Sequence, residues 1–328
     1  MRRREFISFL GGAAAAWPLG ASAQSNRVRR VGAILPAAPD DKEFQIWVAA
    51  FLQALAQAGW TIGDNLRIDI HWASTNAADI RRHAAELAAL APDAVLAAGT
   101  STTGAMLQAT RTVPVVFATV VDPVGAGLID SLSRPGGNAT GFLLYEYSMA
   151  AKWLEFLKQV APNVTRAAVL RDPATPSGAG QFAAIQAVAP ALKIEAMPVN
   201  LRDARELERS IASFARTPNG GLVVAGSSLT ILHRDLIIAL AARHKLPAIY
   251  YERFFVASGG LISYGSDRIA LYRGAAGYVD RILRGEKPAD LPVQAPTKFE
   301  LAINLKTAKG LGLNVPASLH SAATEIIE

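Results

Sequence analysis

Ala94-Val95-Leu96-Ala97-Ala98-Gly99-Thr100-Ser101-Thr102-Thr103-Gly104 decides the fold. Five small apolar residues in a row, bounded by a glycine turn, form a strand buried on both faces. The residues that follow, to about Thr110, have helical composition, so the stretch is one strand–turn–helix unit. Working outward, the same grammar recurs. Upstream, Val31–Leu35 and Leu66–Trp72 read as strands, and Phe44–Ala58 and Ala77–Leu90 as helices. Downstream, Val115–Thr119 and Thr140–Leu144 read as strands. Asp122–Leu132 is expected to be a helix with Pro123 at its first position. Strands alternating with helices predict a parallel sheet with helices on its faces.

The unit then begins again. Helices are expected over about 150–160, 180–189, 203–216 and from the 220s to Ala242. Between them fall strands at Ala167–Leu170, Lys193–Val199, Leu222–Ala225 and Ala248–Tyr250. A strand at Leu261–Tyr264, a helix at Ile269–Leu283 and a Pro-containing stretch to Pro296 supply extra crossings. Two tandem α/β lobes are thus expected: 27–143 with about 265–295, and 144–264 with about 296–328. Ligands of such sheets sit outside the carboxyl ends of the strands, in the cleft.

Length and composition agree. The 328 residues suit two lobes, and 51% hydrophobic residues suffice for a large core. The formal charge of +6 is scattered, without the basic stripe of a nucleic-acid binder. There is no cysteine, which excludes disulfides, thiolate metal sites and cysteine nucleophiles. Residues 1–23 read as a secretory signal. Arg2–Arg4 precede an apolar run from Phe6 to Ala16, and Ala21-Ser22-Ala23 sets cleavage near Ala23. Arg3-Arg4-Glu5-Phe6 is similar to a twin-arginine signal. This implies a periplasmic mature protein.

Several phrases carry a resemblance. They are Ser133-Arg134-Pro135-Gly136-Gly137-Asn138-Ala139-Thr140-Gly141, Asp122-Pro123-Val124 with Gly127-Leu128, and Gly259-Gly260-Leu261-Ile262-Ser263-Tyr264-Gly265. A fourth is Leu291-Pro292-Val293-Gln294-Ala295-Pro296-Thr297-Lys298-Phe299-Glu300-Leu301, running on through Asn304-Leu305-Lys306-Thr307-Ala308. Together they resemble the TrpX-like ABC-transporter substrate-binding proteins of the type 1 periplasmic-binding fold. The resemblance implies two Rossmann-like lobes joined by hinge strands, a small-molecule solute, and an ABC permease with its ATPase as partner. A monomer without cofactor is expected. Some members bind aromatic amino acids.

The loops after the strands supply the candidate ligand residues. Thr100, Ser101 and Thr102 open a helix whose free N–H groups and dipole favour an anion such as a carboxylate; a helix cap is the alternative. Thr119 and Asp122 follow the next strand, with Asp122 placed either to accept from a ligand ammonium or to cap a helix. Ser227 and Ser228 form the matching loop of the second lobe, and Asp172 follows another of its strands. Tyr251 belongs to a cluster of aromatics, and Glu252 reads either as a partner for a ligand cation or as a surface helix residue. The five histidines show no metal-ligand spacing, and no Walker loop, dinucleotide fingerprint or nucleophile elbow is complete. A non-enzymatic binder is therefore the expected function; a receptor-linked sensor and an exported enzyme on the same fold are the alternatives.

Overall fold

The computed structural model describes residues 27–328, and the export signal read at 1–23 lies outside them. A first sheet holds β1 (Arg29–Leu35), β2 (Leu66–Trp72), β3 (Ala94–Ala98), β4 (Val115–Val120) and β5 (Ala139–Leu143), in the order β2-β1-β3-β4-β5 and all parallel. Its helices include α1 (Lys42–Gln57), α2 (Ala77–Ala89) and α3 (Thr100–Ala109). Helix α1 starts where the Asp41 carboxylate accepts from the N–H groups of Glu43 and Phe44, a side-chain cap. It buries Phe44, Trp47, Val48, Phe51 and Leu55 on one face.

The second sheet contains β6 (Arg166–Arg171), β7 (Glu195–Asn200), β8 (Gly220–Val224), β9 (Ala248–Tyr250), β10 (Ile262–Ser266), β11 (Phe299–Asn304) and β12 (Glu325–Ile327). Their order is β12-β11-β10-β9-β8-β6-β7. Only β11 breaks the parallel run, pairing antiparallel with β10 and parallel with β12. The associated helices are α4 (Ser148–Val160), α5 (Pro176–Val188), α6 (Ala204–Phe214), α7 (Ser228–Leu232), α8 (Arg234–Arg243) and α9 (Arg253–Ala257). Helix α10 (Arg268–Leu283) crosses back and packs on α1, β3, β4 and β5 of the first lobe. The short helices α11 (Leu305–Gly310) and α12 (Ala317–Ala322) lie near the chain end.

The chain therefore passes between the lobes three times: after β5, between β10 and α10, and before β11. The crossings are tied to one another. The Ser266 hydroxyl donates to the Leu144 carbonyl, Asp267 N–H donates to Lys298 O at 3.0 Å, and Leu143 N–H donates to Gln294 O at 2.9 Å. At Gly141 in β5, a Cβ would lie 2.0 Å from the Phe117 carbonyl oxygen. Only glycine lets these two strands approach so closely.

The helix expected over Asp122–Leu132 does not form; the stretch is a series of turns. Asp122 Oδ1 accepts from Gly125 N–H at 2.8 Å, and a Cβ at Gly125 would strike that carboxylate. The side chain thus competes with helix propagation. The helix expected up to Ala242 is two helices, α7 and α8, meeting at His233.

Candidate functional site

In the first sheet the strand order reverses between β1 and β3; in the second it reverses between β6 and β8. These are the switch points at which a crevice opens beyond the strand ends. A cavity of about 360 Å³ lies there, walled by the loops after β1, β3 and β4 from one lobe and after β6, β8 and β9 from the other. It is of ordinary size for a small-molecule pocket. A wider groove of about 700 Å³ runs along the flank of the first lobe between α2, α3 and residues 126–138, and shares Ala77, Ile80, Thr100 and Ser101 with the cavity. The cavity between the lobes is the better site because uncommitted polar groups converge on it.

The first such group is the start of α3. Gly99 takes φ 84° there, and no side chain caps the helix. The N–H groups of Thr100 and Ser101 face a helix end without intrahelical acceptors, and both residues line the cavity. The facing lobe differs. Thr175 caps α5 by accepting from Gly178 N–H, and Ser227 forms a reciprocal capping box with Thr230 at α7. Among the described helices whose first turn lines the cavity, α3 is the one left without a side-chain cap, a preformed place for a negative charge.

Opposite stands Asp172, buried at 8% exposure. Its Oδ1 accepts from Ala174 N–H at 2.9 Å, while Oδ2 has no hydrogen-bond partner among the described residues. Tyr251 also lines the cavity, and its buried hydroxyl lacks a partner. Burial pushes that phenol well above its ordinary pKa, so it stays a neutral donor and acceptor. Phe44, Val121, Leu144, Leu229 and Ile231 supply apolar walls.

Thr119 lines the cavity at φ 67°, where the register of β4 on β5 shifts. A β-branched residue in the left-handed region is strained. Such strain concentrates at functional sites.

The remaining sequence candidates are placed as follows. Ser227 and Ser228 line the cavity. Thr102 does not: its hydroxyl is buried and donates to Ala98 O at 2.6 Å, inside the helix turn. Asp122 does not line it either. Its second oxygen accepts from the Tyr147 hydroxyl at 2.8 Å, a contact that joins the lobes. Glu252 is neither at the cavity nor on a surface helix. It is 2% exposed, and Arg268 Nε donates to its Oε1 at 2.5 Å. Burial pushes the Glu252 carboxyl up to about 7, against the opposing pull of Arg268. Arg268 itself lines the cavity, with its guanidinium 4.8 Å from the centre of the Trp47 ring.

Arg268 and Phe44 were not legible in the sequence as site residues. Arg268 belongs to a helix whose lobe changes at that residue, and Phe44 reads as one apolar position of an amphipathic helix. The histidines also need correction. Strand β2 and helix α2 bring His71 and His83, twelve residues apart, to a contact of 3.0 Å between their Nδ1 atoms.

Fold and site together define a two-lobed α/β binding protein of the periplasmic-binding type, with parallel sheets facing one crevice. The chain belongs to the ABC transporter substrate binding protein family, whose model matches residues 42–327. It is a binding protein, not an enzyme. A tyrosine-binding protein of Clostridioides difficile is 27% identical over 263 residues, which is 80% of this chain and 75% of that one. A conserved domain protein from Vibrio cholerae has the same fold, with a TM-score of 0.84 and 25% identity over 92% of this chain and 100% of that one. An ABC domain from Streptococcus pneumonia in complex with L-Trp also superposes at a TM-score of 0.84, with 22% identity over 91% and 99% of the two chains.

Proposed function

We propose that the protein is the periplasmic receptor of an ABC importer and binds a free amino acid, with an aromatic one as its preferred solute, in the cavity between the lobes. The observation that carries this reading is the uncapped N-terminus of α3, set opposite the half-committed carboxylate of Asp172. The solute carboxylate accepts from the N–H groups of Thr100 and Ser101, and its ammonium donates to Asp172 Oδ2. A zwitterion would then join the two lobes by its own opposite charges. Because each lobe holds one charge, the solute favours the closed arrangement over the open one, and this differential affinity drives hinge closure. Phe44 and Tyr251 line the cavity with aromatic rings against which a planar side chain can pack. The closed form is what a permease with its ATPase would engage. The tyrosine-binding relative and the L-Trp complex support the choice of solute class.

The test is calorimetry of the mature protein with L-tyrosine and L-tryptophan beside tyramine and 3-(4-hydroxyphenyl)propionate. Binding of the amino acids with at least a roughly tenfold loss for each truncated analogue is expected, since one leaves the α3 N–H groups and the other Asp172 without its partner. Tyramine binding as well as tyrosine would remove the carboxylate role of α3. Mass spectrometry of solute released on denaturing the purified protein identifies the natural ligand independently.

A further inference from the structure

His71 is the second-last residue of β2, the edge strand of the first sheet, and His83 and Glu86 lie one turn apart on α2. Their donor atoms form a compact triangle. His71 Nδ1 and His83 Nδ1 are 3.0 Å apart, His83 Nδ1 and Glu86 Oε2 3.4 Å, and His71 Nδ1 and Glu86 Oε2 3.7 Å. Four donors at zinc bonding distances around a tetrahedral ion lie about 3.3 Å from each other. The observed triangle matches that spacing to within a few tenths of an ångström. Both imidazoles are mostly buried, with side-chain exposure of 18%, whereas Glu86 is half exposed and leaves one approach open.

We propose that His71, His83 and Glu86 bind a divalent transition-metal ion of the zinc class on the flank of the first lobe, apart from the solute cavity. Two imidazole nitrogens with one carboxylate oxygen suit Zn²⁺, Ni²⁺ and Cu²⁺ and disfavour Mg²⁺ and Ca²⁺. Three protein ligands leave the fourth position to water.

The surrounding groups are arranged for this exchange. Arg82 Nη1 donates to Glu86 Oε1 at 3.0 Å, which leaves Oε2 for the ion. Arg82 Nη2 lies 3.0 Å from His83 Nε2. When Arg82 donates there, the His83 proton sits on Nδ1 and points at His71. Metal binding at Nδ1 moves that proton to Nε2, so Arg82 Nη2, which also donates to Asp79 Oδ1 at 2.5 Å, must swing away from His83 and let the Asp79 carboxylate, now 3.7 Å from Nε2, close in as the acceptor. A carboxylate behind a ligating imidazole fixes the tautomer and raises ligand basicity. The ion would also pin β2 to α2 across the 73–76 connection; Thr75 within it and Ala77 and Ile80 beyond it line the cavity.

The test uses chelator-stripped, tag-free mature protein titrated with Zn²⁺ against a chromophoric competitor, with Co²⁺ as a spectroscopic probe. One equivalent of Zn²⁺ and a four-coordinate Co²⁺ visible spectrum are expected. His71→Ala and His83→Ala should each weaken Zn²⁺ by more than about 100-fold, and Asp79→Asn by roughly 10-fold, the usual effect of losing an outer partner. In the wild type, Zn²⁺ should shift the ring NMR signals of His71 and His83 and leave those of His233, His244 and His320 in place. Glu86→Gln, at an exposed position, keeps the test valid if a histidine variant misfolds, and it too should lose affinity. Binding no tighter than millimolar in the wild type, unaltered binding in Glu86→Gln, or shifts confined to other histidines would each overturn the assignment.

Discussion

Thr119 holds a branched side chain at φ 67° beside the cavity. Relief of a left-handed conformation contributes about 1–2 kcal/mol, and glycine's extra unfolded-state freedom removes about half of that. Thr119→Gly should therefore stabilise the fold by up to about 1 kcal/mol, seen as a higher urea midpoint at unchanged slope, while solute affinity falls severalfold. At Glu252 the sign runs the other way from a surface carboxylate. Its pKa is raised by burial from 4.5 to about 7, so the folded state holds the proton more tightly than the unfolded chain. The stability this confers is complete below about pH 4.5 and is lost as pH rises to about 7. Thermal unfolding across pH 4–8 should show that decline in the wild type and a flatter profile in Glu252→Gln. Sequence showed Glu252 as a charged residue near aromatics. It did not show burial, because the Arg268 partner sits sixteen residues on, at the far side of a lobe crossing.

The elements were more legible than the contacts between them. Continuous apolar runs such as Ala94–Ala98 fixed the strands to within a residue or two, since a strand buried on both faces carries its signal in every residue. The missed helix at Asp122–Leu132 has a local cause. Pro123 is a good first helical residue, yet Asp122, Gly125 and Gly127 together favour turns. Helix starts were also legible, but their roles were not. Thr100, Ser227 and Thr175 all sit at Ser/Thr-rich starts; only geometry shows the last two engaged as caps and the first helix left bare. Ser227→Ala should therefore cost about 1 kcal/mol of stability through loss of the α7 cap, with less than about a threefold change in solute affinity. Asp172→Asn should do the reverse, leaving the midpoint nearly unchanged and lowering amino-acid affinity by roughly tenfold or more. Parallel denaturation and calorimetry on both variants separate the two roles.

Across the whole molecule, the lobes meet in an aromatic contact of Trp47 with Phe254, ring centres 6.5 Å apart, and in polar contacts around the cavity. Tyr147 donates to Asp122, and Arg234 Nη1 lies 3.5 Å from Asp41 Oδ2. A hydrogen bond to a charged group contributes about 1.5–3 kcal/mol, enough to shift an open–closed equilibrium by tenfold or more. Tyr147→Phe should enlarge the radius of gyration of the solute-free protein in solution scattering and weaken solute binding by a similar factor. Two lobes and a cleft could be read from the repeated strand–helix grammar, with about 265–295, the stretch that holds α10, expected in the first lobe. That ownership has a consequence for biogenesis. A nascent chain that has emerged as far as Asp267 possesses every strand of the first sheet, yet the sheet face that α10 covers against β3, β4 and β5 is still bare. The second sheet in turn waits for β12, which pairs with β11. Neither half is a separable module: the first cannot close its core before α10 is made nor the second before β12 is, so a ribosome that stalls ahead of α10 releases two unfinished lobes rather than one finished one.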